Sequence, residues 1–181
     1  MRLTITRALL ILGASMFAGP MAAEPPRSYF TFGAAHGGFE TDAPPGCTLN
    51  STSTNATGGT LGVGYGFGKN LAIEFGFVNL GTLDLQGVCG ITQITVTAPD
   101  KGLQLSGVLS VPLGDAGDQR GFALYGRLGG FSWSEDADSG LEPVVGLGLE
   151  WRFDFNTALR IEYDDMGDGL DALQLSLRWD Y

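Results

Sequence analysis

Large apolar residues recur at every second position in eight separate segments of this 181-residue chain. The closing stretch DALQLSLRWDY shows the pattern plainly, because small or polar residues alternate there with five large ones: Leu173, Leu175, Leu177, Trp179 and Tyr181. Alternate side chains of a β-strand point to opposite faces, so this stretch has one apolar and one polar face. Beyond the N-terminus no window keeps apolar residues at the 3.6-residue period of a helix over three turns. The sequence therefore predicts an all-β protein.

The N-terminus has the pattern of a cleaved secretory signal peptide. Arg2 and Arg7 give a positively charged start, a short apolar run follows, and Ala23 is the predicted last residue of the signal. The apolar run is too short to cross a bilayer as a helix, which disfavours the alternative of an uncleaved anchor. We therefore expect a signal peptide over residues 1–23 and a single β domain over residues 24–181.

The charge balance excludes one class of partner. Removing the predicted signal takes away two arginines and no acid, which leaves 8 basic and 20 acidic residues. A polyanion of this kind repels phosphate backbones, so nucleic acid is not expected to bind.

Two cysteines, Cys47 and Cys89, lie in polar, turn-rich stretches. An exported protein meets an oxidising compartment, which favours a disulfide between them. Such a bond would close a loop of about 40 residues and contribute roughly 4 kcal/mol in the chain-entropy treatment. Two free thiols are the alternative, because spacing in the sequence proves no geometry.

The eight alternating segments are bounded by turn residues and span 27–40, 60–68, 71–80, 102–111, 121–133, 143–153, 157–165 and 171–181. Connections after the second, fourth and sixth are short, whereas those after the first, third, fifth and seventh are longer. This is the plan of a transmembrane β-barrel with short periplasmic turns and long outer loops, and an even strand number puts both termini in the periplasm. The stretch 91–98 is ambiguous, since it either extends the fourth segment or forms an excursion outside the bilayer.

The two faces of these segments decide between lipid and water. In the second segment Leu61, Val63, Tyr65 and Phe67 alternate with four glycines. A soluble sandwich or lipocalin-like barrel would bury the large residues and cover its outside with glycine, which weakens strands. An eight-stranded barrel instead has an interior just wide enough for small and polar side chains, so the large residues face lipid.

We therefore predict an eight-stranded antiparallel up-and-down transmembrane β-barrel, each segment having about the 9–11 residues that a tilted strand needs to cross hydrocarbon. The last strand closes the barrel against the first, so that no edge remains unpaired. Four aromatic residues are expected in the girdle at the periplasmic interface: Trp151, Phe153, Trp179 and Tyr181.

A known family is resembled in three features: the predicted signal peptide, the alternation, and sequence stretches such as GLGLEWRF, TALRIEYDD and the closing LQLSLRWDY. The chain resembles the small outer-membrane β-barrel proteins of Gram-negative bacteria, which include the transmembrane domain of outer membrane protein A and proteins of the outer membrane protein X type. The resemblance implies an outer-membrane location, contact with lipid and lipopolysaccharide, and a monomer. The closing stretch looks like the signal that the barrel assembly machinery reads, although that signal more often ends in Phe than in Tyr.

The predicted inward face collects charged side chains. Four are acidic and four are basic: Glu74, Arg127, Glu150, Arg152, Arg160, Glu162, Arg178 and Asp180. Unpaired ions are costly in a narrow lumen, so we expect a salt-bridged plug. The alternative, similar to what the resemblance implies, is an ion path that opens when these charged side chains exchange their ion-pair partners.

Three functions follow from these patterns. The first is a structural and surface-interaction role, in envelope integrity, adhesion or resistance through the outer loops. The second is a narrow ion or small-solute channel. The third, a lipid A modifying enzyme, would need His36, the only histidine, to meet Ser132 or Ser134 across the barrel. We predict that the protein is not an enzyme.

Two further patterns point to no cofactor and no metal site. GVGYGFG has glycine at a strict period of two, which does not fit a phosphate-binding loop. DDMGDGLD resembles part of a calcium loop, but Leu175 stands where the closing Glu would be. A solvated acidic loop in contact with the divalent cations that bridge lipopolysaccharide is the interpretation we keep.

Overall fold

A computed structural model describes residues 27–68, 70–114, 120–135 and 138–181 of the chain. The predicted signal peptide and its cleavage site lie outside these residues. In the described part no helix is long and apolar enough to span a membrane.

The described residues form eleven β-strands: β1 (Arg27–Glu40), β2 (Cys47–Leu49), β3 (Ser53–Gly66), β4 (Leu71–Asn79), β5 (Asp84–Cys89), β6 (Thr92–Thr97), β7 (Lys101–Leu113), β8 (Gly121–Glu135), β9 (Asp138–Arg152), β10 (Thr157–Asp165) and β11 (Leu170–Asp180).

Eight of these strands close into an antiparallel barrel in the order β1-β11-β10-β9-β8-β7-β4-β3. β1 closes the ring, because it pairs with β11 through Phe30 and Trp179 and with β3 through Phe30 and Val63. The prediction of an eight-stranded transmembrane barrel is confirmed, including its closure by the last strand. Closure leaves no edge of this sheet unpaired.

The outer wall of the barrel is apolar. Large side chains on alternate positions are exposed there, as in Phe32 at 48%, Leu105 at 57% and Ile161 at 48%, while their sequence neighbours point into the lumen. A wall of this kind is stable in contact with acyl chains and unfavourable in water.

The largest differences from the predicted strand bounds occur at two places, both at the long-loop end. β3 starts at Ser53, which pairs with Glu40. β8 and β9 pair up to Glu135 and Asp138, so a hairpin stands where a longer loop was expected. Both differences have one cause: an alternation of large and small residues marks where a strand meets lipid, and these strands continue into water beyond it.

The stretch 91–98 forms an excursion outside the barrel. Its strand β6 pairs with β5, and β5 pairs with β2, in a separate three-stranded sheet that we call the lid sheet. Cys47 lies opposite Cys89 in this sheet, with 4.2 Å between their Cα atoms, and the two form a disulfide. The predicted disulfide is thus present, and it joins the first and second long connections.

Beneath the lid sheet the lumen is filled by apolar side chains, which we call the apolar plug. Its buried members come from the barrel strands and from the chain around the lid sheet: Ala35, Phe39, Val78, Leu80, Leu83, Leu85, Ala98, Phe131, Val144, Met166, Leu170 and Ala172. The expectation that only small and polar residues point inward is therefore wrong at this end of the barrel. The reason is that the lid sheet covers the mouth, so that inward side chains there meet apolar partners rather than water.

Candidate functional site

Below the apolar plug the inward positions of the barrel strands carry an ionised network. The strand period of two places all eight predicted residues there: Glu74, Arg127, Glu150, Arg152, Arg160, Glu162, Arg178 and Asp180. Every one of them makes at least one ion pair within 4.0 Å. The network occupies the middle of the lumen and its short-turn end, where the connections from β3 to β4, from β7 to β8 and from β9 to β10 lie.

Glu74 is the centre of the upper half of this network. Its carboxylate accepts hydrogen bonds from Arg127 Nη2 at 2.5 Å, Arg160 Nη1 at 2.5 Å and the Tyr29 hydroxyl at 2.6 Å. Only 6% of Glu74 is exposed. Two guanidinium groups therefore share this buried carboxylate.

Glu150 and Asp180 hold the lower half. Glu150 accepts from Arg160 Nε at 2.7 Å, from Arg152 at 3.0 Å and from Arg178 at 3.2 Å. Asp180 accepts from Arg152 at 3.0 Å and from Arg178 at 2.6 Å. These contacts connect the neighbouring strands β9, β10 and β11 on the lumen side and satisfy the charges of the short-turn half.

Two inward tyrosines belong to the site and were missed by the sequence analysis. Tyr29 and Tyr125 are buried, and the Arg160 guanidinium lies 5.3 and 4.9 Å from their ring centres. Each tyrosine lies opposite a glycine on the next strand, Gly64 and Gly148, and a Cβ on either glycine would overlap the ring. The glycine face of the barrel thus makes room for aromatic rings. The sequence signal for their inward direction is that each tyrosine alternates with residues that face outward.

A fifth carboxylate, Asp164, was also missing from the predicted network. It is fully buried, it accepts a hydrogen bond from Gln174 Nε2 at 2.6 Å, and it lies 3.6 Å from Arg127 Nη1. Its position in β10, two residues after Glu162 and four after Arg160, was the available signal. The lumen therefore holds five carboxylates and four guanidinium groups in the described part of the chain.

A small cavity of about 30 Å³ lies within the upper half of the network, beside Glu74, Gln104, Ser106 and Arg127. Its volume accommodates one or two water molecules and nothing larger. Among the described residues no group of three or more His, Cys, Asp or Glu side chains is placed to hold a metal ion.

The four residues predicted for the aromatic girdle lie on the outer wall at the short-turn end. Trp151, Phe153, Trp179 and Tyr181 are between 40% and 70% exposed. Trp151 packs against Phe153 with ring centres 5.7 Å apart, and Tyr181 stacks on Phe30 at 4.9 Å. Such a row suits the boundary between acyl chains and water.

The arrangement required for catalysis by His36 is not present. His36 is exposed on the outer wall of β1 and contacts Thr57 Oγ1 through Nδ1 at 3.0 Å. Ser132 and Ser134 are exposed on the outer wall of β8, which is four strands away around the barrel. The hypothesis that His36 meets either serine across the barrel is therefore wrong, because all three side chains point away from the lumen.

One carboxylate at the short-turn end has a perturbed pKa. Asp154 Oδ1 accepts hydrogen bonds from the backbone N–H of Asn156 at 2.8 Å and of Thr157 at 2.7 Å. These donors favour the ionised form and hold the pKa of Asp154 below its usual range. The carboxylate thereby fixes the turn between β9 and β10.

The closed sheet, the apolar outer wall and the ionised lumen together define a transmembrane β-barrel protein. The chain belongs to the family of the outer membrane protein beta-barrel domain, whose model matches residues 8–177. It is therefore a protein of the bacterial outer membrane, and its wall contacts the lipid and lipopolysaccharide of that membrane.

Similar proteins are consistent with this family. Outer membrane protein A of Klebsiella aerogenes is 29% identical over 126 residues, which cover 65% of this chain and 33% of that protein. The same protein of Yersinia pseudotuberculosis is 32% identical over 122 residues, covering 58% and 32%. The chain thus spans about a third of the length of the curated relatives that it matches.

Two solved structures show the same fold. A de novo designed transmembrane β-barrel matches with a TM-score of 0.52 at 15% identity, covering 88% of this chain and 99% of the design. Ail of Yersinia pestis, in complex with the heparin analogue sucrose octasulfate, matches with a TM-score of 0.50 at 14% identity, covering 87% and 100%.

Glu74→Gln tests the centre of the network. The variant should lose about 2–3 kcal/mol of unfolding free energy, because two buried guanidinium groups each lose one charge-assisted hydrogen bond, while Arg127 keeps its contact with Glu162 and Arg160 keeps its contact with Glu150. Reversible urea unfolding in lipid vesicles, followed by tryptophan fluorescence, measures the change. Asp42→Asn, at an exposed position, serves as the control and should stay within about 0.5 kcal/mol of the wild type. A Glu74→Gln variant as stable as the control would contradict the assigned role.

Proposed function

We propose that this protein is a closed, lipid-embedded scaffold that presents the lid sheet and neighbouring turns at the cell surface, for envelope integrity, adhesion or resistance. The observation that carries this proposal is the apolar plug, which fills the lumen beneath the lid sheet. The long-loop end, which includes the lid sheet, faces outward in this proposal, and the short turns and the C-terminus face the periplasm.

A closed lumen favours a role at the surface over a role in transport. Passage through the barrel would require displacement of buried plug residues such as Phe131, Leu80 and Leu83, which are fully shielded from solvent. It would also require separation of the ion pairs around Glu74 and Glu150. Both steps cost free energy.

The lid sheet is well suited to present a surface. The disulfide fixes β2 to β5, and Leu85 on the underside of β5 is 2% exposed within the plug. The opposite face is exposed along β5 and β6, and Ile91 at the hairpin tip is fully exposed. A rigid surface loses little entropy on binding, which favours affinity.

The charge of the long-loop end indicates the chemistry of a partner. Acidic side chains are exposed or partly exposed there: Glu40, Asp42, Asp84, Asp100, Glu142, Asp165, Asp168 and Asp171. Lys101 is the one lysine or arginine at this end in the described part of the chain. The Ail structure contains sucrose octasulfate, a polyanion. For this chain we infer the opposite preference, for a basic partner or for the divalent cations that bridge lipopolysaccharide.

The preference can be measured with simple probes. Protein in vesicles should bind a lysine-rich peptide with an affinity that falls with salt concentration, and should not bind heparin. Asp42→Asn combined with Asp168→Asn should weaken the peptide binding, and Asn tolerates the backbone φ of 46° at position 168. Binding of heparin, or peptide binding unchanged in the double variant, would contradict the inferred charge preference.

A narrow channel is the second candidate, because exchange of ion-pair partners around the cavity would open a path for ions. Planar-bilayer recording separates the two candidates. We expect the folded wild type to give no conductance steps above the protein-free membrane at neutral pH, since plug and ion pairs close the lumen in series. Reproducible steps from the wild type would replace the scaffold by the channel.

We also propose that the protein has no lipid A modifying activity, since His36 contacts Thr57 alone among polar side chains in the described residues. The lipid A mass spectrum of cells that express His36→Ala should match that of cells that express the wild type. A lipid A species that is present with the wild type and lost with His36→Ala would show that this histidine is catalytic.

We further propose that the protein is a monomer whose last strand is read by the barrel assembly machinery. The barrel sheet has no open edge, so it needs no partner subunit. The sedimentation mass of the detergent-solubilised protein tests the first part, and assembly after removal of the terminal Tyr181 tests the second.

A further inference from the structure

Among the described residues, the fifth carboxylate of the lumen leaves one negative charge without a counter-ion. Glu74, Glu150 and Asp180 take up Arg152, Arg160 and Arg178 and also receive the shortest ion-pair contact of Arg127. Glu162 and Asp164 therefore share what remains of Arg127, at 2.9 Å from Nε and 3.6 Å from Nη1. One guanidinium already bound to a third carboxylate does not neutralise two more.

The geometry of the pair shows where the charge is compensated. Asp164 Oδ2 accepts from Gln174, and Glu162 Oε2 accepts from the Tyr125 hydroxyl at 3.1 Å. The remaining oxygens, Asp164 Oδ1 and Glu162 Oε1, are buried and accept no hydrogen bond among the described residues, and Glu162 Oε1 has only its ion-pair contact with Arg127 Nε at 2.9 Å. Both lie over Gly146, where a Cβ would clash with Asp164 Oδ1 and would be 3.1 Å from Glu162 Oε1. Two carboxylate oxygens that accept no hydrogen bond thus lie against the same glycine.

Six barrel strands contribute groups that surround the Glu162–Asp164 pair. The groups that face it are Glu74 from β4, Gln104 from β7, Tyr125 and Arg127 from β8, Gly146 from β9, Arg160 from β10 and Gln174 from β11. Above it, Val144 and the rest of the apolar plug separate the pair from the long-loop end. Water does not screen the two charges from this side, and adjacent carboxylates in such a place do not both stay ionised.

We propose that Glu162 and Asp164 form a proton-binding site in the folded barrel, with one proton shared between Asp164 Oδ1 and Glu162 Oε1 at neutral pH. The proton forms a hydrogen bond between these two oxygens. The five carboxyl groups of the lumen then carry four negative charges. The site is distinct from the ion pairs of the short-turn half, whose carboxylates are satisfied by arginine.

Folding then takes up a proton. In the unfolded chain both carboxyl groups are ionised above about pH 5, because their ordinary pKa values are near 4. The native state holds one proton more than the unfolded state, so the folding equilibrium constant falls tenfold for each unit of rising pH while the site stays occupied. Carboxylates that are ionised in both states add no slope in this range.

Urea unfolding in vesicles between pH 6 and 9 tests the site. Asp164→Asn should remove the tenfold fall per pH unit and should be at least as stable as the wild type at pH 8, because its amide N–H donates to Glu162 Oε1 in place of the shared proton. Glu150→Gln is the matched control, since it neutralises an arginine-paired carboxylate: it should be destabilised and should keep the wild-type slope. Subtracting the Asp164→Asn curve from the wild-type curve cancels the contributions of all groups that titrate alike in both proteins.

Three results would overturn the proposal. One is an Asp164→Asn variant with the wild-type slope and a loss of stability like that of Glu150→Gln. Another is a wild-type stability at pH 8 that rises when sodium or potassium replaces choline at constant ionic strength, which would assign the compensating charge to a metal ion. Should Asp164→Asn not fold, infrared spectra of the wild type at pH 8 decide: the band of a protonated carboxylic acid supports the site, and its absence refutes it.

Discussion

The structure depends on closure of the sheet. In hydrocarbon a backbone N–H or C=O without a partner costs several kcal/mol, so a spanning sheet must satisfy all of them within itself. The pairing of β1 with β11, eleven residues long, meets this requirement and sets the interior width at eight strands. At this width the inward rings of Tyr29 and Tyr125 each lie opposite a glycine, and the inward charged groups pair with one another.

The lumen has two layers that are stabilised by different interactions. The ionised layer is specified by hydrogen-bond geometry and links strands that are far apart around the ring, such as β4 with β8 and β10 through Glu74. The apolar plug above it is specified by packing and links barrel strands with the chain around the lid sheet. The plug lowers the dielectric around the upper carboxylates, which makes their charge balance matter more than it would in a water-filled pore.

Much of the fold could be predicted from the sequence because alternation reports the face of each strand directly. The outward set that includes Leu61, Leu105 and Leu175, and the closure by the last strand, follow from that alone. The plug and the inward tyrosines did not follow, since a rule based on residue size assigns Phe131 and Tyr29 to lipid. Their direction depends on what lies opposite, and register across strands is not visible in one sequence. Asp164 was predictable in direction, but its effect on the charge balance required the ion-pair distances.

The bond between Cys47 and Cys89 turns the chain between them into a covalent ring that crosses the bilayer twice, through β3 and β4. A single backbone cut within that ring leaves both pieces attached to each other. The fully exposed Ile91 at the tip of the lid hairpin lies just outside the ring. A cut in the lid hairpin on the Thr92 side of Cys89 therefore divides the chain into two parts held together only by strand pairing, whereas a cut on the other side releases nothing. The position of Cys89 therefore decides which backbone cuts in the lid sheet leave the two fragments covalently joined.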